Sequence, residues 1–147
     1  MHKAVISATG VYTPELSISN AELVEAFNAW ASAENARNAP RIESGEMEAI
    51  GLSSEEFIVK ASGIERRYVL NKSGVLDPKV MHPVLPERGD DEISVMAEMA
   101  VSAANEALGK AGKSAADIDG VICAASNHER AYPAIAIEVQ QALGIKG

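Results

Sequence analysis

Apolar positions change rhythm several times along this chain, and each change marks an element. KAVISA, near the start, is short, β-branched and mostly apolar, and Gly10 and Pro14 follow it. It predicts a strand running into a turn. In SNAELVEAFNAWA the spacing becomes three and four, with Leu23, Val24, Phe27 and Trp30 on one face. That predicts a helix which Ser19 or Asn20 can cap. Residues 31–52 are polar and acidic and contain Pro40 and Gly45, so they predict a surface excursion with a helical turn around Glu46 to Ile50. Order returns in SSEEFIVKASGIERRYVL. Ser53 or Ser54 starts a helix, Phe57, Ile58 and Ala61 face inward, Gly63 stops it, and ERRYVL continues as a strand.

Residues 71–92 form a second excursion, with three prolines and no periodicity. The clearest helix is ISVMAEMAVSAANEALGKAG. Ile93, Met96, Ala97, Ala100, Val101, Ala104 and Leu108 trace its apolar stripe, and Gly112 ends it. Its alanines suit close packing against another helix or a sheet. A short turn that Ser114 can cap leads into VICAA, apolar on both alternating faces, as in a strand covered by helices on both sides. SNHERAY is the next loop. PAIAIEVQQALG predicts a helix with Pro133 at its first position. Strands alternating with helices predict a layered α/β fold with parallel neighbours and right-handed crossovers.

Composition narrows the function. A chain of 147 residues with 47% hydrophobic content builds the core of one domain. A net charge of −8 argues against nucleic acid or an anionic membrane as partner, since both reward Lys and Arg. One cysteine allows no internal disulfide, which fits a reducing, cytoplasmic setting. No signal peptide and no membrane-spanning run is expected. His2, His82 and His128 are scattered, with no metal-ligand spacing, and neither SGIE nor ALGIKG is a GxGxxG fingerprint.

Several stretches then match a family in order. GVYTPE followed by SNAEL, the run FIVKASGIERR, and the alanine-rich helix leading through DIDGVICAASN to AYPAIAIEVQQALGIKG resemble the N-terminal part of a β-ketoacyl-acyl-carrier-protein synthase III, of the thiolase superfamily. The likeness covers the chain apart from the two excursions. It implies a thiolase-like layered α-β-α fold, of which residues 1–147 are an N-terminal half-repeat with an incomplete sheet. It implies an acyltransferase of fatty acid biosynthesis that joins an acyl-coenzyme A primer to malonyl-acyl-carrier protein through an acyl-cysteine. Its Cys-His-Asn residues are expected after Gly147, so none of the catalytic residues is expected here. Coenzyme A enters as a substrate, no cofactor or metal is implied, and the partners are acyl-carrier protein, the remaining C-terminal part and a second copy in a homodimer. Other readings are a hydroxymethylglutaryl-coenzyme A synthase-like or quinolone-type synthase, or a non-catalytic homologue that dimerises or binds an acyl carrier.

The resemblance assigns coenzyme A contacts to Ser53 and Phe57, the aromatic stacking on adenine. Alanine stands at position 61, where the family carries an arginine, and Lys60 next door offers a positive charge. Read from the residues alone, Phe57 is equally a core residue and Lys60 a solvated helix face. Tyr132 and Pro133 match an aromatic-Pro pair that reaches the acyl pocket across the dimer interface. As plain sequence they are a loop aromatic and a helix-start proline. Arg67 matches an arginine expected to pair with a carboxylate. The acidic excursions either shape the substrate entrance or are tolerated surface loops. Their charge sends an acidic acyl carrier to a basic patch elsewhere.

Cys123 and His128 invite a nucleophile-base reading. A strand apolar on both faces raises a thiol's pKa, and five extended residues span up to roughly 16 Å. The pair therefore reads as a core thiol and a loop-tip histidine.

Overall fold

The computed structural model describes residues 4–146; Met1, His2, Lys3 and Gly147 lie outside them. The elements in order are β1 (Leu16–Ser19), α1 (Asn20–Arg37), α2 (Ala39–Glu43), α3 (Glu55–Ser62), β2 (Arg66–Val69), α4 (Val95–Ala111), a 3-10 turn at Ala115–Asp117, and α5 (Ile135–Leu143). This mixture of helices with a small sheet is compatible with part of an α/β domain. The chain divides into two units, Thr13–Pro86 and Met1–Tyr12 with Glu87–Gly147.

In the unit Thr13–Pro86, β1 and β2 pair antiparallel, with Leu16 opposite Val69 and Ile18 opposite Arg67. The parallel neighbours expected from the strand-helix alternation are therefore not what the described residues form. Helix α1 begins at a reciprocal cap. Ser19 Oγ accepts from the Glu22 backbone N–H at 3.2 Å, and the Glu22 carboxylate accepts from Ser19 N at 2.8 Å. Ile18, Asn20, Ala26 and Ala31 are buried. The expected excursion at 31–52 is largely ordered: α1 runs on to Arg37 and α2 follows after one residue, while Glu46–Ile50 is not helical. Alanine and glutamate at 31–36 are good helix formers and extend α1 past its apolar face. Ser54 caps α3, accepting from Phe57 N at 3.1 Å, and Gly63 closes it in the left-handed conformation at φ 69°.

Lys72 Nζ lies 2.6 Å from Glu22 Oε1 and ties the second excursion to the α1 cap. This ion pair and the Ser19 backbone N–H lower the Glu22 carboxyl from its ordinary 4.5 to about 2. A depressed folded-state pKa means stability present above 4.5 and lost as pH falls through 2. Replacing Glu22 with glutamine should therefore cost thermal stability at pH 6, with the difference from the parent vanishing toward pH 2. Melting curves across that range test this, and a difference independent of pH would remove the ion pair and cap as its source.

The other unit is built on α4 and α5. Ala97, Ile135 and Val139 are buried at its centre, with Ile93, Met96, Ala100, Val101 and Leu143 packed around them. This is most of the predicted stripe. Gly112, at φ 61°, is the expected stop. Ser114 and Asp117 form the predicted capped turn. Two expected strands do not form among the described residues. Ala4–Gly10 and VICAA join no ladder, and Ile122 is 99% exposed. An apolar pattern records that a segment is made for burial, but a strand exists only where a second backbone accepts and donates to it. Helix α5 starts at Ile135 with Ala134 as its cap, so Pro133 precedes the helix and is not its first residue.

Candidate functional site

In the unit Thr13–Pro86, α1, α3 and two loops enclose a cleft of about 520 Å³. Helix α1 contributes Leu23, Val24, Ala26 and Phe27. Gly51–Ser53 form one rim, Phe57 and Ile58 come from α3, and Val75 and Met81 come from the second excursion. No charged side chain lines it. The size and the apolar walls suit the uncharged portion of a small organic ligand.

The rim is held by side chains that sequence periodicity passes over. Asn28 Nδ2 donates to Ser53 O at 3.0 Å, and Asn28 Oδ1 accepts from Ser53 N at 2.8 Å. Two helical turns on, Asn35 repeats the pattern with Ile50, at 2.9 and 2.8 Å. Each carboxamide presents one acceptor and one donor, as a neighbouring strand would. The segment 50–53 is thereby fixed along α1 without forming a strand. Asparagine is a poor helix former, so two of them seven residues apart inside a helix were the available signal. Asn20 extends the set: it donates to Ile64 O at 2.8 Å and accepts from Arg67 at 2.9 Å. Arg67 is thus structural, as expected, but its partner is a carboxamide and not the carboxylate foreseen.

Ser53 and Phe57 meet at this cleft, whereas Lys60 does not line it. Lys60 shares a shallow hollow with Glu55, Glu56 and Val59. Phe57 is 65% exposed and Ala61 is also exposed, so of the three α3 residues expected to face inward only Ile58 is half-buried. The amphipathic pattern located the right face of α3, but that face borders an open cleft. Met81 reaches the wall from a left-handed backbone, φ 54°, which costs a non-glycine residue about 1–2 kcal/mol.

In the other unit, Tyr132 is 87% exposed and Pro133 half-buried, in the loop before α5. The loop is anchored by residues that spacing did not single out. The Glu129 carboxylate accepts from the backbone N–H groups of Val95 and Met96, the first two of α4, at 3.1 and 2.9 Å. Arg130 donates to Glu92 O at 3.1 Å. Glu138, 4% exposed, accepts from Ser94 N at 3.0 Å and from Ser94 Oγ at 2.7 Å, and Arg130 Nε lies 3.9 Å away. A glutamate among the apolar residues of AIAIEV was the sequence signal for this cap. Cys123 is exposed, not the buried thiol expected, because VICAA has no covering neighbour among the described residues. It makes no hydrogen bond with His128 there. Among the described residues no three His, Cys, Asp or Glu side chains cluster as metal ligands. No helix among them is long and apolar enough to cross a membrane.

Comparison with known proteins identifies the chain. It is 60% identical, over 84% of its length, to the β-ketodecanoyl-[acyl-carrier-protein] synthase of Pseudomonas aeruginosa. A β-ketoacyl-[acyl-carrier-protein] synthase III of Rhizobium johnstonii is 37% identical over 68% of the chain, and one of Bordetella petrii is 32% identical over all of it. The chain belongs to the β-ketoacyl-acyl-carrier-protein synthase III family. No family model matches it. It spans 35%, 25% and 33% of these three synthases respectively, about a third of a synthase III or less.

Proposed function

We propose that this chain is part of a condensing enzyme of fatty acid biosynthesis that extends a medium-length acyl group by two carbons. The observation that carries the reading is the 60% identity to a synthase named for a β-ketodecanoyl product. In the proposed reaction a cysteine thiolate attacks the thioester of an acyl-coenzyme A, and coenzyme A leaves as the thiol. Malonyl-acyl-carrier protein then loses carbon dioxide. Its carbanion attacks the acyl-cysteine carbonyl and expels the thiolate, giving a β-ketoacyl carrier two carbons longer. A ten-carbon product calls for an eight-carbon primer. Cys123 is not assigned as the nucleophile: it is exposed and makes no hydrogen bond with His128 among the described residues. We place the nucleophile outside these 147 residues.

Ser53 and Phe57 fit the coenzyme A entrance in this reading. Phe57 presents an exposed ring beside an apolar cleft, which suits stacking on a flat heterocycle. Lys60, also on α3, is assigned to the nucleotide's phosphates on its charge alone, and its position in a separate hollow makes it the weaker member. Tyr132 and Pro133 are assigned to the acyl pocket and the contact with a second copy. An exposed tyrosine on an anchored loop suits both. A cytoplasmic homodimer served by acyl-carrier protein completes the proposal.

Mass analysis of carrier protein after incubation with octanoyl-coenzyme A and malonyl-acyl-carrier protein tests the reading. β-Ketodecanoyl carrier is the expected product, and failure to extend any acyl-coenzyme A would end it. Phe57→Ala should raise KM for the acyl-coenzyme A on the order of tenfold, the loss of about 1.4 kcal/mol of stacking and apolar contact, with kcat and the malonyl carrier's KM little changed. Steady-state kinetics in each substrate check this. An unaltered acyl-coenzyme A KM would take Phe57 out of the entrance.

A further inference from the structure

We propose that Glu129 is a positioning residue that sets acyl-chain preference by fixing the loop that carries Tyr132; this rests on the assignment of Tyr132 to the acyl pocket. Tyr132 is 87% exposed and makes no side-chain hydrogen bond among the described residues, so its own contacts do not fix it. The loop belongs to no helix or strand between residues 121 and 134. Its place is set three residues earlier. The Glu129 carboxylate takes both of the first free N–H groups of α4, from residues 34 and 33 positions away in sequence. A carboxylate is favoured there twice over, by the two donors and by the positive end of the helix. Arg130 adds a second tether, to Glu92 O. α4 packs on α5 through Ala97, Ile135 and Val139, so the loop is pinned to α4 at Glu129 and continues into α5 just after Tyr132. An aromatic that closes a pocket discriminates chain length only if it is held against the push of the longer chain. The two Glu129 hydrogen bonds supply that hold.

The test is a double-variant cycle read out as chain preference. The rates kcat/KM for octanoyl- and dodecanoyl-coenzyme A are measured in the purified full protein, in the parent, Tyr132→Ala, Glu129→Ala and the double variant. Tyr132→Ala should raise the dodecanoyl-to-octanoyl ratio on the order of tenfold, a typical discrimination by pocket volume. Glu129→Ala should raise it in the same direction. In the double variant the ratio should match Tyr132→Ala alone, because the anchor then has nothing to hold. Glu129→Gln keeps one acceptor and should fall between parent and alanine, and it serves if the alanine variant does not fold. A uniform loss at both chain lengths, or a Glu129 effect of equal size with and without Tyr132, would overturn the proposal by making Glu129 merely structural. No ratio change in Tyr132→Ala would overturn it together with the Tyr132 assignment, while leaving the condensing activity standing.

Discussion

Glu138→Ala should destabilise the protein by about 2–4 kcal/mol. The Ser94 backbone N–H and hydroxyl both donate to this carboxylate, and Ser94 is 1% exposed, so water cannot replace the lost acceptor. Each buried donor left unpaired costs about 1–3 kcal/mol. The damage extends further, because Ser94 Oγ also caps α4 through Ala97 N at 3.2 Å, and an unanchored cap frays the helix start. Glu138→Gln keeps one acceptor and should lose roughly half as much. Denaturant unfolding of the three proteins checks the ranking. A loss below about 0.5 kcal/mol for the alanine variant would mean that Glu138 is not the acceptor that satisfies Ser94.

Gly10→Ala should be comparably damaging, for a steric reason. A Cβ at Gly10 would overlap the Ala103 carbonyl oxygen and lie 2.7 Å from Ala107 N. Both are backbone atoms of α4 and no rotamer change relieves them. Either the helix shifts or the segment around Gly10 lifts away, stretching the 2.6 Å hydrogen bond from Val11 N to the Glu106 carboxylate. Overpacking of this kind costs about 1–3 kcal/mol. Gly109→Ala is the control. It lies on the same helix with open space around it, and alanine there should be neutral or up to about 1 kcal/mol stabilising. Melting temperatures of the two variants should move apart, and equal shifts would contradict the close approach.

Helix starts and stops were legible because they are local. The caps act within one turn: of the two candidates read for each helix the structure uses Ser19 for α1 and Ser54 for α3, and Gly63 and Gly112 are stops as read. The alanine stripe of α4 was legible for the same reason. The close approach of Gly10 to the α4 backbone at Ala103 and Ala107, off that stripe, was not legible, because it is a contact across more than ninety residues. The two apolar strands failed because a ladder needs a partner that a single segment cannot specify. The helical order within 31–52 was not legible because helix-forming residues there extend α1 without an apolar period, and Asn28 and Asn35 tie Ser53 and Ile50 by pairing with backbone. Ser53 and Phe57 lie on one cleft, while the asparagines, Glu129 and Glu138 act on backbone groups far away in sequence, which their residue type flags and no spacing locates.

The proposed role of this chain in an acyl-cysteine condensing enzyme can be tested on the cysteine itself. The most direct measurement is the intact mass of the full protein after exposure to octanoyl-coenzyme A without malonyl carrier, with peptide mapping of any adduct. One octanoyl group per chain is expected, on a cysteine other than Cys123, discharged when malonyl-acyl-carrier protein is added. No adduct, or an adduct on Cys123, would contradict it.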